Sequence, residues 1–357
     1  MGVTYKGDVD AQIPDLWSKR LYSQAERQTF WHRFEGPEGG SMPVIRKDDL
    51  TQEAGDTIKT DIVLSLTGAG LKGSTETGGL LEGNEEKMKF RQNSFTVDAY
   101  RHGVRWEKLG KILITHDMRG SALGQLRKWL ASKLDDQVFA EFTGETISGY
   151  VPQSTVPTTA KVFTEPGTTT PGGIDSTDAL TLDMISELKV IAKVNNQIEP
   201  IAMKDGEEVY GLVLHDYAGL EIKKSTDWKQ AQREARERGA TNPLFTGALG
   251  IWDNVIIYQS ERIPRLLDGA ASVGVARNIF FGAQALMRGY AYYPDWTEQY
   301  FSYGEEQGIG TFTVLGQKLV TFDLTVAGGA AAADFTAIGS LVVYSYAPGP
   351  SLVEQAP

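Results

Sequence analysis

Between Gly55 and Gly144 the sequence holds two alternating apolar stretches around a glycine-dense tip, and then an unbroken helical seam. In Thr57–Leu66, Ile58, Ile62, Leu64 and Leu66 fall on one face and Lys59, Asp61 and Ser65 on the other. That alternation is the period of a half-buried strand. Gly68, Gly70, Gly73, Gly78, Gly79 and Gly83 follow, and Phe95–Trp106 alternates again with Phe95, Val97 and Ala99 on one face. Two strands joined in this way make a ribbon that is marginal alone in water. It must be covered, either by its own domain or by a neighbouring subunit.

The chain has 357 residues, enough for about two domains with a sizeable core. Its net charge of −11 and sequence pI near 5.0 give no electrostatic reason to bind an anionic polymer. There is no cysteine, which excludes disulfides, thiolate metal sites and a cysteine nucleophile. The first residues lack the basic and apolar segments of a secretion signal. No apolar run approaches the roughly eighteen residues of a membrane span.

Residues 1–56 read as an extended arm around one helix. Pro14 and Asp15 suit its start, Trp17, Leu21 and Ala25 repeat every fourth residue, and Phe30, Trp31 and Phe34 crowd its end. The arm can dock on its own domain or on a neighbour. Asp117–Phe142 is predicted to be a long helix, with Leu123, Leu126, Leu130, Leu134, Val138 and Phe142 along one seam. Asp117 or Ser121 is suited to its start and Gly144 to its stop. Glu145–Asp178, dominated by Thr, Ser, Pro and Gly, reads as an exposed loop or insertion. A second amphipathic helix is expected over Ser176–Val194, and a charged one over Thr226–Arg238. Strands are expected at Ile198–Met203, Val209–Leu214, Trp252–Gln259, Phe312–Leu315, Leu319–Leu324 and Leu341–Tyr346, with a short helix or strand near Ala283–Tyr290.

Candidate chemistry is sparse. Gly68-Ala-Gly70-Leu-Lys-Gly73 matches a dinucleotide fingerprint, but the Ser-Thr-Glu-Thr-Gly-Gly that follows cannot open the helix the fingerprint needs. His116-Asp117 and His215-Asp216 match the His-Asp pairs of metal-dependent phosphohydrolases, yet no histidine pair has helical zinc spacing. Glu82, Glu85 and Glu86 form an acidic cluster without calcium-loop spacing; it reads as a charged ribbon edge or as a salt-bridging patch for a neighbour. The stretch from Lys223 to Arg238 mixes both signs of charge and reads as a solvated face. No G-x-S-x-G elbow or Ser–His–Asp set can be assembled.

Several short motifs fall in a familiar order: Ile13-Pro14-Asp15-Leu16-Trp17-Ser18, Thr29-Phe30-Trp31, Gly55-Asp56-Thr57-Ile58, Leu81-Glu82-Gly83-Asn84-Glu85-Glu86, Asp135-Asp136 through Phe142-Thr143-Gly144, Val213-Leu214-His215-Asp216, and Asn242-Pro243-Leu244-Phe245-Thr246-Gly247. In that order the chain resembles tailed-phage major capsid proteins of the Hong Kong 97-type fold, in the branch typified by coliphage N-four. The resemblance implies an α+β subunit with an N-terminal arm (1–56), an extended E-loop ribbon (57–106) and a peripheral domain (107–206) containing a spine helix at 117–142. It further implies an axial domain (207–330) and a C-terminal strand (331–357) returning to the peripheral domain. It implies a structural protein without catalytic residues, metal or cofactor, assembling through pentamers and hexamers into an icosahedral shell around double-stranded DNA. Scaffolding, portal and decoration proteins are the expected partners, with no membrane and no sequence-specific DNA contact. No long helical leader precedes the arm, so a separate scaffold is expected. Assembly is expected in the bacterial cytoplasm and residence in the virion. Candidate subunit-interface residues are Trp17, Trp31 and Phe34 in the arm, and Leu71, Leu80, Leu81, Glu82, Glu85 and Glu86 at the ribbon tip. An encapsulin-like nanocompartment shell and, more remotely, a metal-dependent hydrolase using His116 and His215 are the alternatives.

Overall fold

The computed structural model describes residues 21, 25, 29–37, 40–47, 57–63, 71–72, 85, 88, 90–113, 117–154, 162–164, 170–196, 198–204, 207–230, 249–323, 335–337 and 339–349. Its central element is the helix Met118–Thr143. The Asp117 side chain accepts from the Arg119 amide at its start, and Gly144 ends it in a left-handed conformation (φ 73°) that favours glycine. The seam predicted for Asp117–Phe142 is therefore present with the caps foreseen.

Two sheets share this helix. Toward its N-terminus, Ala122, Leu123 and Leu126 pack on Trp106, Trp296 and Ile309, and Leu130, Ala131 and Leu134 pack on Tyr290 and Leu315. Those partners belong to a five-stranded sheet ordered Glu35–Pro37, Val44–Lys47, Leu286–Phe301, Glu306–Leu319 and Asp98–Glu107. Its centre is a hairpin of 16- and 14-residue strands. Toward the C-terminus of the helix, Val138, Phe139 and Phe142 meet Val213, Ile279 and Phe281 of an eight-stranded sheet. The main path of that sheet runs Val162–Phe163, Ser340–Tyr346, Val275–Phe281, Glu207–Leu214, Val255–Gln259 and Gly250–Trp252. The helix Leu182–Val194 covers its other face, so every residue of Val275–Phe281 is buried.

Several expectations change. The second ribbon strand, expected over Phe95–Trp106, is two strands. Phe90–Thr96 pairs antiparallel with Thr57–Val63, whereas Asp98–Glu107 leaves the ribbon to pair with Glu306–Leu315. Trp252–Gln259 is the turn and second strand of a hairpin, since Asp253 and Asn254 both take positive φ (46° and 60°), the two-residue turn that matches strand twist. The piece near Ala283–Tyr290 opens the 16-residue strand. The second helix begins at Leu182, capped by Thr181, after Ala179 bridges Tyr346. Only residues 226–230 of the charged helix are described, and they are helical.

Sheet membership also divides the chain differently from the expected boundaries. Residues 286–319, placed with the segment from 207 onward, lie in the sheet of the long helix. Ser340–Tyr346, expected to return to the peripheral domain, pairs with Val162–Phe163 of the 107–206 segment on one side and with Val275–Phe281 on the other.

Candidate assembly surfaces

The end of the arm is bound inside its own subunit. Trp31 stacks on Phe142 at 5.0 Å between ring centroids and meets Phe139 and Phe281 edge-on at 5.4 Å. Phe34 packs on Phe281 and Tyr258, both at 5.2 Å. The Asp135 carboxylate accepts from the backbone amides of Phe30 (2.8 Å) and Trp31 (3.4 Å). Burial pushes Asp135 up to about 6, against the lowering effect of those amides and of Arg262 and Arg288. Trp31 has no exposed surface and Phe34 almost none, so neither can face a neighbour as expected. Leu21 and Ala25, from the expected arm helix, are likewise fully buried against the long helix. Trp17 lies outside the described residues.

The ribbon is also rooted in its own subunit. Ile58 and Phe95 pack with Ile45, Met287 and Val320, and Ile58 occupies the space above Gly289 that a side chain there would fill. The Asn93 amide donates to the Leu319 carbonyl at 3.0 Å. Gln153 holds Thr96 at both ends, accepting from its amide (3.0 Å) and donating to its carbonyl (2.7 Å). Ribbon and long hairpin cross so closely that a Cβ at Gly316 would collide with the Thr96 carbonyl. Farther out, Leu71, Glu85 and Met88 are exposed. Leu80, Leu81, Glu82 and Glu86 lie outside the described residues.

The segment that holds Thr96 was read as an exposed loop, yet it is pinned to the long helix. Glu141, fully buried, accepts from Tyr150 Oη (2.6 Å), Gln153 N (2.7 Å), Ser154 N (2.9 Å) and Ser154 Oγ. Ser154 Oγ in turn accepts from the Leu319 amide at 3.0 Å. Burial raises the Glu141 carboxyl, opposed by these donors. A second buried charge, Arg288, joins the strand Leu286–Phe301 to Glu35, to Gln317 (3.1 Å) and to the Leu134 carbonyl (3.2 Å). Glu141 stands beside Phe142 of an unbroken apolar seam, so neither it nor Gln153 or Ser154 carried a signal in the sequence.

The outward face of the five-stranded sheet carries a shallow groove floored by Gly103, Gly308 and Gly310. Arg105, paired with Glu306 and lying 4.3 Å over the Phe301 ring, bounds one end. Arg101 and Phe312 bound the other. Beyond it the hairpin turns through Ser302, Tyr303 and Gly304, all at positive φ (50°, 57°, 88°), and Tyr303 is fully exposed.

The His-Asp pair at 215–216 serves a helix start: His215 Nδ1 accepts from the Tyr217 amide at 3.1 Å, and burial lowers its pKa. His116 lies outside the described residues. Among the described residues no group of three or more His, Asp and Glu could hold a metal ion, and no helix is long and apolar enough to cross a membrane.

The long helix and the outlying ribbon are the spine helix and extended loop that the resemblance implied; the long hairpin and the sharing of the helix by two sheets are additions of the structure. The family model described as phage capsid protein matches residues 8–349. The chain belongs to the phage capsid protein family. This capsid protein is a structural component of a phage shell, which decides against the nanocompartment. It is similar to the major capsid protein of Pseudomonas phage KPP25, 25% identical over 340 residues, covering 84% of this chain and 87% of that one. Its fold is shared with the capsid of Ralstonia phage GP4 (TM-score 0.76, 23% identity, 98% and 99% covered). It is shared too with the capsid of cyanophage Pam1 (TM-score 0.74, 19% identity, 91% and 93% covered). The fold is thus the Hong Kong 97 type, and the family is one of shell subunits rather than a class of enzymes.

Proposed function

We propose that this capsid protein is the major shell subunit, assembling through pentamers and hexamers into an icosahedral shell around double-stranded DNA. The observation carrying this reading is the contrast along the ribbon. Its base is locked by Ile58, Phe95, Asn93 and Thr96, while Leu71 and Met88 farther out are exposed apolar residues. In the assembled shell the ribbon tip, with Leu71, Leu80, Leu81, Glu82, Glu85 and Glu86, lies across a neighbouring subunit, and Trp17 belongs to the same set of contacts. The long helix with the five-stranded sheet forms the peripheral domain. The eight-stranded sheet, including Ser340–Tyr346, forms the axial domain; sheet membership supports this division over a boundary at 206/207. The net charge of −11 suits a wall that encloses DNA without gripping it. Scaffolding, portal and decoration proteins act alongside it, with assembly in the host cytoplasm.

Deleting Gly68–Gly83 tests the reading. The variant should keep wild-type circular dichroism and thermal midpoint while electron micrographs show few or no closed shells. Normal shells from the deletion variant would remove the ribbon from the assembly mechanism.

A further inference from the structure

The tip of the long hairpin and the groove beside it are complementary, and nothing among the described residues of a single chain joins them. The tip presents the Tyr303 ring, held outward by the left-handed turn, with the exposed Glu305 carboxylate two residues on. The groove presents bare backbone at Gly103, Gly308 and Gly310, with the exposed Arg101 guanidinium and the Phe312 ring at its edge. Neither Glu305 nor Arg101 has a side-chain ion pair among the described residues, in contrast to Arg105, which is paired with Glu306.

We propose that Tyr303 of one copy of this chain seats in the glycine-floored groove of a second copy, with Glu305 of the first beside Arg101 of the second. A flat ring needs a floor without side chains, and the three glycines supply one; its polar end can stay in water while its face is covered. Arg101 can meet both the ring face and the carboxylate. The opposite charges favour a second copy of this chain as the occupant. Tyr303 and the far end of the groove at Gly310 are seven residues apart on one hairpin, roughly 20 Å at strand spacing. A two-fold or three-fold axis equidistant from the two, roughly 10 Å from each, therefore brings one copy's ring to the other's groove, and either axis closes the contact. The inference rests on the shell reading above and supplies it with one specific contact.

The absence of cysteine makes a direct test possible. A Tyr303→Cys, Gly310→Cys double variant cannot bridge within one chain, because a disulfide needs Cα atoms within about 7 Å. A Cβ at Gly310 meets only the His102 carbonyl, at 3.6 Å, so the fold tolerates the change. The variant is supplied to a phage whose own copy of this gene is disabled, and the particles are oxidised and run on non-reducing gels. Dimers or larger species from the double variant, with monomers from each single variant, are expected. Monomers alone from assembled double-variant heads would overturn the proposal. Tyr303→Ala and Gly310→Val should each lower head yield at least about tenfold, with unchanged subunit unfolding. Glu305→Arg combined with Arg101→Glu should recover yield over either change alone. Wild-type yield from Tyr303→Ala and Gly310→Val would overturn this contact and leave the shell reading standing. Wild-type protein that never restores heads would overturn both.

Discussion

Trp31 and Tyr303 are both aromatic residues near the end of an extended feature, and the subunit uses them in opposite ways. Trp31 closes the arm: its ring lies among Phe139, Phe142 and Phe281, and Asp135 receives its backbone amide. Tyr303 ends the hairpin with its ring in solvent and the exposed Glu305 carboxylate two residues on. An aromatic residue in an arm or loop is thus no guide to an intersubunit contact until its own chain has been searched for a socket. Trp31 has one within the subunit, and Tyr303 has none there.

Trp31→Ala should give the largest effect. Emptying a site packed by three aromatic rings costs about 3–5 kcal/mol of subunit stability, read as a lower midpoint in urea. Trp31→Phe should cost much less, since the indole N–H has no acceptor among the described residues. A Trp31→Ala subunit of normal stability that failed to form shells would move Trp31 to the assembly side and dissolve the contrast. Next comes Glu35→Ala, which takes one carboxylate away from the buried Arg288 guanidinium while its bonds to Gln317 and the Leu134 carbonyl stay. About 3 kcal/mol is expected, from breaking a buried ion pair by removing one partner. Glu35→Ala combined with Arg288→Met should regain part of that loss. A double variant no better than the single would show that the pair is not what ties the strand Glu35–Pro37 into the sheet.

How far the sequence could be read follows the same division. The long helix was legible because its seam and caps are local: Asp117 and Gly144 act within a few residues of themselves. The root of the ribbon was half legible. The alternation of Ile58 and Phe95 predicted their burial, but the strand break at Val97 depends on Glu306–Leu315, some two hundred residues away. The long hairpin was missed because irregularities between Tyr290, Tyr292 and Asp295 interrupt the two-residue period. Glu145–Asp178 misled most. Its composition marks a loop, yet Tyr150, Ser154, Phe163 and Ile174 are buried, fixed by Glu141 and by the edge of the eight-stranded sheet.

The anchoring of the arm has a pH signature. Burial places Asp135 at about 6 in the folded subunit, against 3.8 for the ordinary carboxyl. Because the folded-state value is the higher, protonation favours the folded state. The resulting stabilisation is complete below about pH 4 and is lost as pH rises through about 6, with an upper limit on the order of 3 kcal/mol. Asp135→Asn removes the titration. The stability of the wild type relative to that variant should therefore fall by about 1–3 kcal/mol between pH 4.5 and 7.5, measured by urea unfolding. A constant difference across that range would show that the amides of Phe30 and Trp31, with Arg262 and Arg288, offset the burial of the carboxylate.

The smallest effect is the sharpest test of the comparison. At φ 57° a tyrosine pays a backbone penalty that glycine does not. With its ring in solvent, Tyr303 gains nothing from the fold in return. Tyr303→Gly should therefore leave subunit stability unchanged or raise it by about 0.5–1 kcal/mol, the left-handed penalty less the extra freedom of an unfolded glycine. The matching change at Trp31 has the opposite sign and several times the size. If Tyr303→Gly instead destabilised the isolated subunit by more than about 1 kcal/mol, beyond the range of an exposed site, the ring would have a partner in its own chain. The tip would then belong with the arm, as part of folding rather than of assembly.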